Sequence, residues 1–215
     1  VLGNIHATQV KIDAMVENRD IREAYDWNLF MEKAKLCNSE VLEVLQENIA
    51  DIMRWDRDAV TGLHEASQNQ VISHRDLDPK NVMWKNDAPY IIDWEAAGYV
   101  NPFQELIEVL NYWISDETGK YGKAKFDALM QAYTENNNIN NVNWDVILSC
   151  SFDGMLGWLE YNLKRALGME GSGINDQEEG IQQTQGTIYE LKKYENQIEQ
   201  LKVWLDEFVR EKYTL

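Results

Sequence analysis

The residues that could do chemistry lie between Val71 and Trp94, in the string VISHRDLDPKNVMWKNDAPYIIDW. Val71-Ile72 is a short β-branched run, and His74-Arg75-Asp76 follows it, then four further residues and Asn81. A second apolar run, Tyr90-Ile91-Ile92, leads into Asp93. Asn86-Asp87-Ala88-Pro89 has turn composition, which predicts a small hairpin with strands over Val82–Trp84 and Tyr90–Ile92. Asp76 and Asn81 then sit on the loop entering the hairpin and Asp93 at its exit, so three side chains can converge on one small volume. Phosphoryl transfer needs such a set: a carboxylate for the proton of an attacking hydroxyl, and two oxygen ligands for Mg²⁺ against the phosphates. Asp76 is the candidate base, and Asn81 and Asp93 are the candidate metal ligands. A neutral amide oxygen at Asn81 coordinates a hard cation without adding negative charge beside a triphosphate. His74 reads as architectural, an imidazole that hydrogen-bonds the loop backbone.

The string HRDLDPKN is similar to the catalytic loop of the protein-kinase-like superfamily, H-R-D-x-x-x-x-N, and Asp93 stands where that superfamily has the Asp of D-F-G. Trp94-Glu95 replaces Phe-Gly, and no A-P-E triplet follows, so the sequence resembles the aminoglycoside phosphotransferase and choline kinase branch rather than a protein kinase. Gly98, Pro102 and Glu105 resemble the pattern of that branch after the metal Asp, although Asp is commoner at the position of Glu105. The resemblance implies the helical C-terminal lobe of a kinase: mainly α, with a small β-hairpin. It also implies transfer of the γ-phosphoryl of ATP or GTP, with Mg²⁺, to a hydroxyl of a small molecule. An aminoglycoside, with antibiotic resistance as its consequence, a choline-like amine and another alcohol all remain open as acceptor. Asp78 and Lys80 line the same loop, where contact with acceptor or phosphate and a structural salt bridge are equal readings. The counterpart of Glu105 braces the catalytic loops, while an ordinary solvated Glu in a first helical turn is the plainer reading. Trp158-Leu159-Glu160-Tyr161-Asn162 resembles a late phrase of the family. In some members aromatic and acidic residues there border the acceptor site; a core Trp158 and a solvated Glu160 are the competing reading.

The elements that must position these residues are mostly helices. Val1–Ala7 resembles the phrase L-G-x-x-H-A that closes the first helix of the family's C-terminal lobe. Thr8–Arg19 reads as irregular, and Ile21–Leu36 as a helix. Leu42, Leu45, Ile49, Ile52, Val60 and Leu63 form one stripe on a helix of about six turns, capped by Asn38 or Ser39. Asn101 can cap a helix with Pro102 at its first position and Gln104 closing a capping box, and Phe103, Leu106, Ile107, Leu110, Trp113 and Ile114 form its apolar face. Lys123–Glu135 reads as a helix, Asn136–Asn143 as a loop, and Trp144–Leu167 as a helix or a broken pair ending at Gly168. The organisation expected is one helical lobe over 1–215: leading helices to 70, the catalytic loop and hairpin at 71–94, and a helical substrate-side region at 95–168. A flexible loop at 169–180 and a long helix at 181–215 complete it, the latter with a heptad-like stripe that fits internal packing or a coiled-coil partner.

Composition narrows the classes further. At 215 residues and 44% hydrophobic, the chain can bury a substantial core. A formal net charge of −17 argues against nucleic acid as a partner; it would favour a cationic acceptor by steering, while an acidic surface that only keeps the protein soluble is an equal reading. The two cysteines, Cys37 and Cys150, are far apart and fit reduced thiols in the cytoplasm. No run approaches a membrane span. The sequence starts at Val1 and contains no G-x-G-x-x-G, so the β-rich lobe that grips the nucleotide is expected to be missing from it, and the chain alone is expected to be inactive. A helical interaction module derived from a kinase lobe is the non-catalytic alternative.

Overall fold

The computed structural model describes residues 1–17, 21–171 and 173–213. Among the described residues eight α-helices and four short strands form two compact units, and the long helices α3 (Val41–Ala66) and α8 (Ile174–Tyr213) contribute residues to both. The first unit comprises Val1–Ile21, Leu63–Leu148 and Leu201–Leu215; the second comprises Arg22–Gly62 and Ser149–Gln200. Among the described residues no helix is long and apolar enough to cross a membrane. Neither Cys37 nor Cys150 is in a disulfide among the described residues.

The second unit is a helical packing problem solved with aromatic and aliphatic side chains. Trp27 and Phe30 of α2 (Trp27–Leu36), Leu45, Ile52 and Trp55 of α3, Phe152, Leu156, Leu159 and Leu163 of α7 (Phe152–Ala166), and Ile188, Leu191 and Tyr194 of α8 share one core. Each large side chain so buried contributes about 1.5–3 kcal/mol. The predicted helix over 21–36 is shorter in the structure. Asp26 accepts from the Leu29 N–H at 3.1 Å and caps α2, while Arg22 and the Tyr25 N–H turn to the Asp56 carboxylate instead of continuing a helix. The stripe on α3 is also rotated from the predicted one, with Trp55 and Ala59 buried and Val60 and Leu63 only partly so.

The flexible loop expected at 169–180 is corrected more strongly, because α8 already begins at Ile174. A Cβ on Gly180 would lie 2.5 Å from the Ala166 N and 2.9 Å from the Asn162 O. This glycine therefore serves close approach of α8 to α7 rather than flexibility. Arg165 fastens the same crossing through Glu179 at 2.6 Å. Gly168, with φ 65°, ends α7 as expected.

In the first unit β1 (Val71–Ser73) pairs antiparallel with β4 (Gly98–Val100), a strand the sequence did not reveal. β2 (Val82–Lys85) pairs with β3 (Ala88–Ile91), with Val82 opposite Ile91 and Lys85 opposite Ala88. That register leaves a two-residue turn in which Asn86 and Asp87 both have positive φ, the geometry that suits the right-handed twist of a hairpin. Around these strands stand α1 (Leu2–Thr8), α4 (Pro102–Trp113), α5 (Lys123–Tyr133), the start of α6 (Trp144–Cys150) and the end of α8. Leu201 and Leu205 are fully buried, and Trp204 and Phe208 meet Phe126 of α5, so the terminal stripe is used inside the molecule. Residues 9–17 are non-helical, while Asn18 and Arg19 of the predicted irregular stretch lie outside the described residues.

Candidate active site

The loop between β1 and β2 is shaped by local chemistry. Asp78 accepts from the Lys80 N–H at 2.8 Å, and Pro79 opens the single 3-10 turn Pro79–Asn81. This turn delivers Asn81, only 4% exposed, back towards Asp76. The Asn81 Nδ2 donates to the Asp76 carbonyl at 2.8 Å and to the Asp76 Oδ2 at 2.9 Å. Lys80 Nζ stands 3.7 Å from the same Oδ2. Asn81 and Lys80 both meet the Asp76 carboxylate at Oδ2 and leave Oδ1 facing outward from them. Lys80 and Asp78 thus make the structural contacts open to them; the Lys80 pair is solvent-exposed and contributes at most about 1 kcal/mol.

The exit of the hairpin is tied to its entrance. The Ile92 N–H donates to the Asn81 O at 3.0 Å, which holds Asp93 at the same end of the hairpin as Asn81. His74 completes the tie: its Nε2–H donates to the Ile92 O at 2.9 Å, and its Nδ1 accepts from the Asp76 N–H at 3.3 Å. His74 is fully buried and edge-on to Trp94 at 4.7 Å. Asp93 itself is exposed and left-handed, with φ 62° and ψ 62°. That conformation is uncommon for a non-glycine residue, and Asp is among the few that tolerate it.

A suitable metal would be a hard one. The Asn81 amide nitrogen is spent on Asp76, leaving its carbonyl oxygen for coordination, and Asp93 offers a carboxylate. Two such oxygens leave most of an octahedral shell to phosphate and water, as Mg²⁺ prefers. Among the described residues no cluster of three or more His, Cys, Asp or Glu could hold an ion without such help.

Behind the loop lies a buried polar chain that the sequence only half revealed. Glu105, 1% exposed, accepts from the Arg75 N–H at 2.7 Å through Oε1 and contacts His6 Nε2 at 2.7 Å through Oε2. It is therefore buried and bonded to the loop, not a solvated first-turn Glu. Burial pushes the Glu105 carboxyl up, but the hydrogen bond and charge of His6 and the Arg75 N–H outweigh it and hold the carboxyl below its ordinary range. Arg75 is left-handed at φ 67°. Trp113, read from sequence as one more apolar-face residue, donates its Nε1–H to the Leu77 O at 2.8 Å. Tyr112, absent from the predicted site, feels the charges of Asp78 and Asp76. Burial first, and then these carboxylates with Glu108, raise its hydroxyl above the ordinary range. Asn101 caps α4 through the Phe103 and Gln104 N–H groups as predicted, but the Gln104 side chain faces Glu108 and closes no box.

The remaining predicted residues lie in the second unit. Trp158 is 48% exposed and stacked on Tyr161, so it is not a core residue. Glu160 is mostly covered and paired with Lys164 at 2.6 Å rather than solvated.

Comparison with known proteins follows the same lines. No curated protein matches the chain. A spectinomycin phosphotransferase solved in complex with ADP and spectinomycin is similar at 15% identity and a TM-score of 0.53, over 86% of this chain and 58% of that one. A choline/ethanolamine kinase family protein from Mesorhizobium loti gives 14% identity and a TM-score of 0.49, over 90% and 59% of the two chains. For a choline kinase from Cryptosporidium parvum Iowa II the values are 14% and 0.45, over 95% and 66%. The chain thus spans less than two thirds of the length of these proteins, and the first of them shows the fold to be protein-kinase-like. The model of the phosphotransferase enzyme family matches residues 1–135, which carry α1, the loop between β1 and β2, the hairpin and Glu105. The chain belongs to the phosphotransferase enzyme family.

Proposed function

We propose that this chain is the C-terminal catalytic lobe of a small-molecule kinase that moves the γ-phosphoryl of ATP or GTP to a substrate hydroxyl. The observation that supports it is the joining of Asp76, Asn81 and the backbone before Asp93 into one hydrogen-bonded unit, with His74 bridging both sides. Asp76 takes the hydroxyl proton on Oδ1, and the Asn81 amide fixes the direction of its carboxylate. Asn81 and Asp93 would hold Mg²⁺, which would supply charge neutralisation on the phosphate oxygens. Lys80, beside Asp76 and largely exposed, and Asp78 are positioned to meet phosphate or acceptor.

The acceptor is a cationic alcohol of the aminoglycoside or choline kind. The net charge of −17 supports this reading. Two cysteines outside any disulfide suit a reducing, cytoplasmic setting. Positioning carries most of phosphoryl transfer, so a nucleotide-gripping lobe must be supplied upstream. The purified 215-residue chain should fold without phosphorylating aminoglycosides, choline or related alcohols. A longer protein containing that lobe should phosphorylate one of them and lose about two to four orders of magnitude of turnover in Asp76→Asn, with nucleotide affinity little changed. Near-normal turnover of Asp76→Asn would remove Asp76 from the role of base.

A further inference from the structure

We propose that the groove behind the β2–β3 hairpin binds a small lipophilic amine, its apolar body on the hairpin and its ammonium at Glu135. This goes beyond the phosphotransfer reading and does not depend on it. The groove lies wholly within the first unit and measures about 310 Å³, within the range of small-ligand pockets. Strand alternation builds its hairpin side. Val82 and Trp84 project from one face of β2, and their cross-strand partners Ile91 and Pro89 complete that face. Met83 and Tyr90, paired with each other, belong to the opposite face and take no part in the groove. Val109 and Trp113 come to it from α4, and Leu129 and Ala132 from α5.

Most polar groups along the groove are already satisfied. The Trp113 Nε1–H is given to the Leu77 O, the Tyr133 hydroxyl is bonded to His6 at 2.9 Å, and the Asn136 amide donates to Asn4 Oδ1 at 2.8 Å. Glu135 is the one lining residue with a charged side chain; it is exposed and has no ion pair among the described residues. Charge complementarity then selects the occupant. An anion would be repelled by Glu135 and by the net charge of −17, and a neutral apolar molecule leaves the carboxylate unused. An amine on an aryl or alkyl body satisfies both, and Trp84, 62% exposed, offers that body an aromatic surface. The groove also reaches the candidate site from behind. Leu77 follows Asp76, Val82 follows Asn81, and Ile91 stands two residues before Asp93. An occupant that bridges these residues to α4 and α5 stiffens the segments that carry the three reactive side chains. Asp76, Asn81 and Asp93 do not themselves line the groove, so it suits a regulator and not the phosphoryl acceptor.

The probe is 4-phenylbutylamine, titrated into the 215-residue chain with its Val1 amino group acetylated, because Val1 borders the groove. Heteronuclear NMR should show shifts at the Trp84 indole N–H and the Leu129 and Ala132 amides, with a Kd of about 1 mM or tighter. The same body with a carboxylate, 4-phenylbutyrate, should bind about tenfold more weakly or worse. Glu135→Gln should weaken the amine about threefold to fivefold, as loss of an exposed ion pair implies, without weakening the butyrate. Ala132→Trp, at an exposed helical position, should fill the groove and cut amine affinity about tenfold or more, with the thermal melt still cooperative. Bound amine should also slow exchange of the Ile92 N–H, which donates to the Asn81 O at 3.0 Å, about threefold. Equal binding of amine and carboxylate, or shifts that persist in Ala132→Trp, overturns the proposal. So does a groove closed to the amine, whether filled by residues upstream of Val1 in a longer protein or by a second copy in a dimer. Unchanged Ile92 exchange in the bound state removes the regulatory role. Because binding is read without turnover, its failure is distinct from failure of the phosphotransfer reading.

Discussion

Each unit of this protein is built around one buried carboxylate, and the two are used for different ends. In the second unit Asp56, 1% exposed, accepts from Arg22 at 2.7 Å, the Tyr25 N–H at 2.8 Å and the Trp27 Nε1–H at 2.7 Å. All three donors belong to the approach to α2, so Asp56 fastens a helix start onto a helical core. In the first unit Glu105 is equally buried but grips an amide of a loop whose residue is left-handed. Positive φ is unevenly distributed as well. Among the described non-glycine residues the first unit holds Gln9, Arg75, Asn86, Asp87 and Asp93, and the second only Asn38. One carboxylate secures packing, and the other sustains a conformation that packing alone would not choose.

The comparison can be broken from either side. Asp56→Ala should be the most damaging change, about 3–5 kcal/mol. It removes the acceptor of the Tyr25 N–H and the Trp27 Nε1–H and one ion-pair partner of Arg22, which keeps Asp153. Equilibrium denaturation should show it as a lower midpoint, and a loss under 1 kcal/mol would deny Asp56 its structural role. Glu105→Gln should cost about 1.5–3 kcal/mol, since an amide cannot accept from both His6 and the Arg75 N–H with the strength of a carboxylate. Here pH adds a signature. The folded carboxyl titrates below its ordinary 4.5, so its contribution is complete above that value and is lost as pH falls through the lowered one. The stability gap between wild type and Glu105→Gln should therefore narrow below about pH 4.5, and a gap that widened there would reverse the assigned shift.

Two glycines of α8 sharpen the same contrast at smaller cost. Gly180→Ala should destabilise by about 1–3 kcal/mol, because its new methyl meets backbone atoms of α7 that cannot step aside. Gly186, six residues on, has nothing within 4 Å of its missing Cβ. Gly186→Ala should stabilise by about 0.5–1 kcal/mol through helix propensity alone. Thermal melts of the pair compare a glycine the packing requires with one it does not. Equal and opposite placement of the two effects would show that α8 meets α7 elsewhere.

Much of the reactive loop was legible because its determinants are adjacent in sequence. The β-branched run, the turn pair Asn86-Asp87 and the spacing of Asp76, Asn81 and Asp93 act over a few residues each, and the Asn101-Pro102 cap is equally local. What misled was glycine and helical periodicity. Gly180 in an acidic stretch reads as a hinge, yet the same lack of a Cβ permits close packing, and only the presence of α7 decides between them. Ile21–Leu36 carries helical spacing along its length, but Asp56, 30 residues from Asp26, draws its first turn away.

The sequence by itself therefore determined the chemistry on offer: two carboxylates and an amide brought to one end of a hairpin by short-range turn and strand preferences. Only the tertiary structure decided what holds them. Whether Glu105 is solvated or buried, and whether His6 reaches Tyr133, depends on α1, α4 and α5 meeting behind the loop. Such contacts between residues about 30 to 130 positions apart leave no periodic trace in the chain, because each partner is a single residue and its hydrogen bond has no repeat.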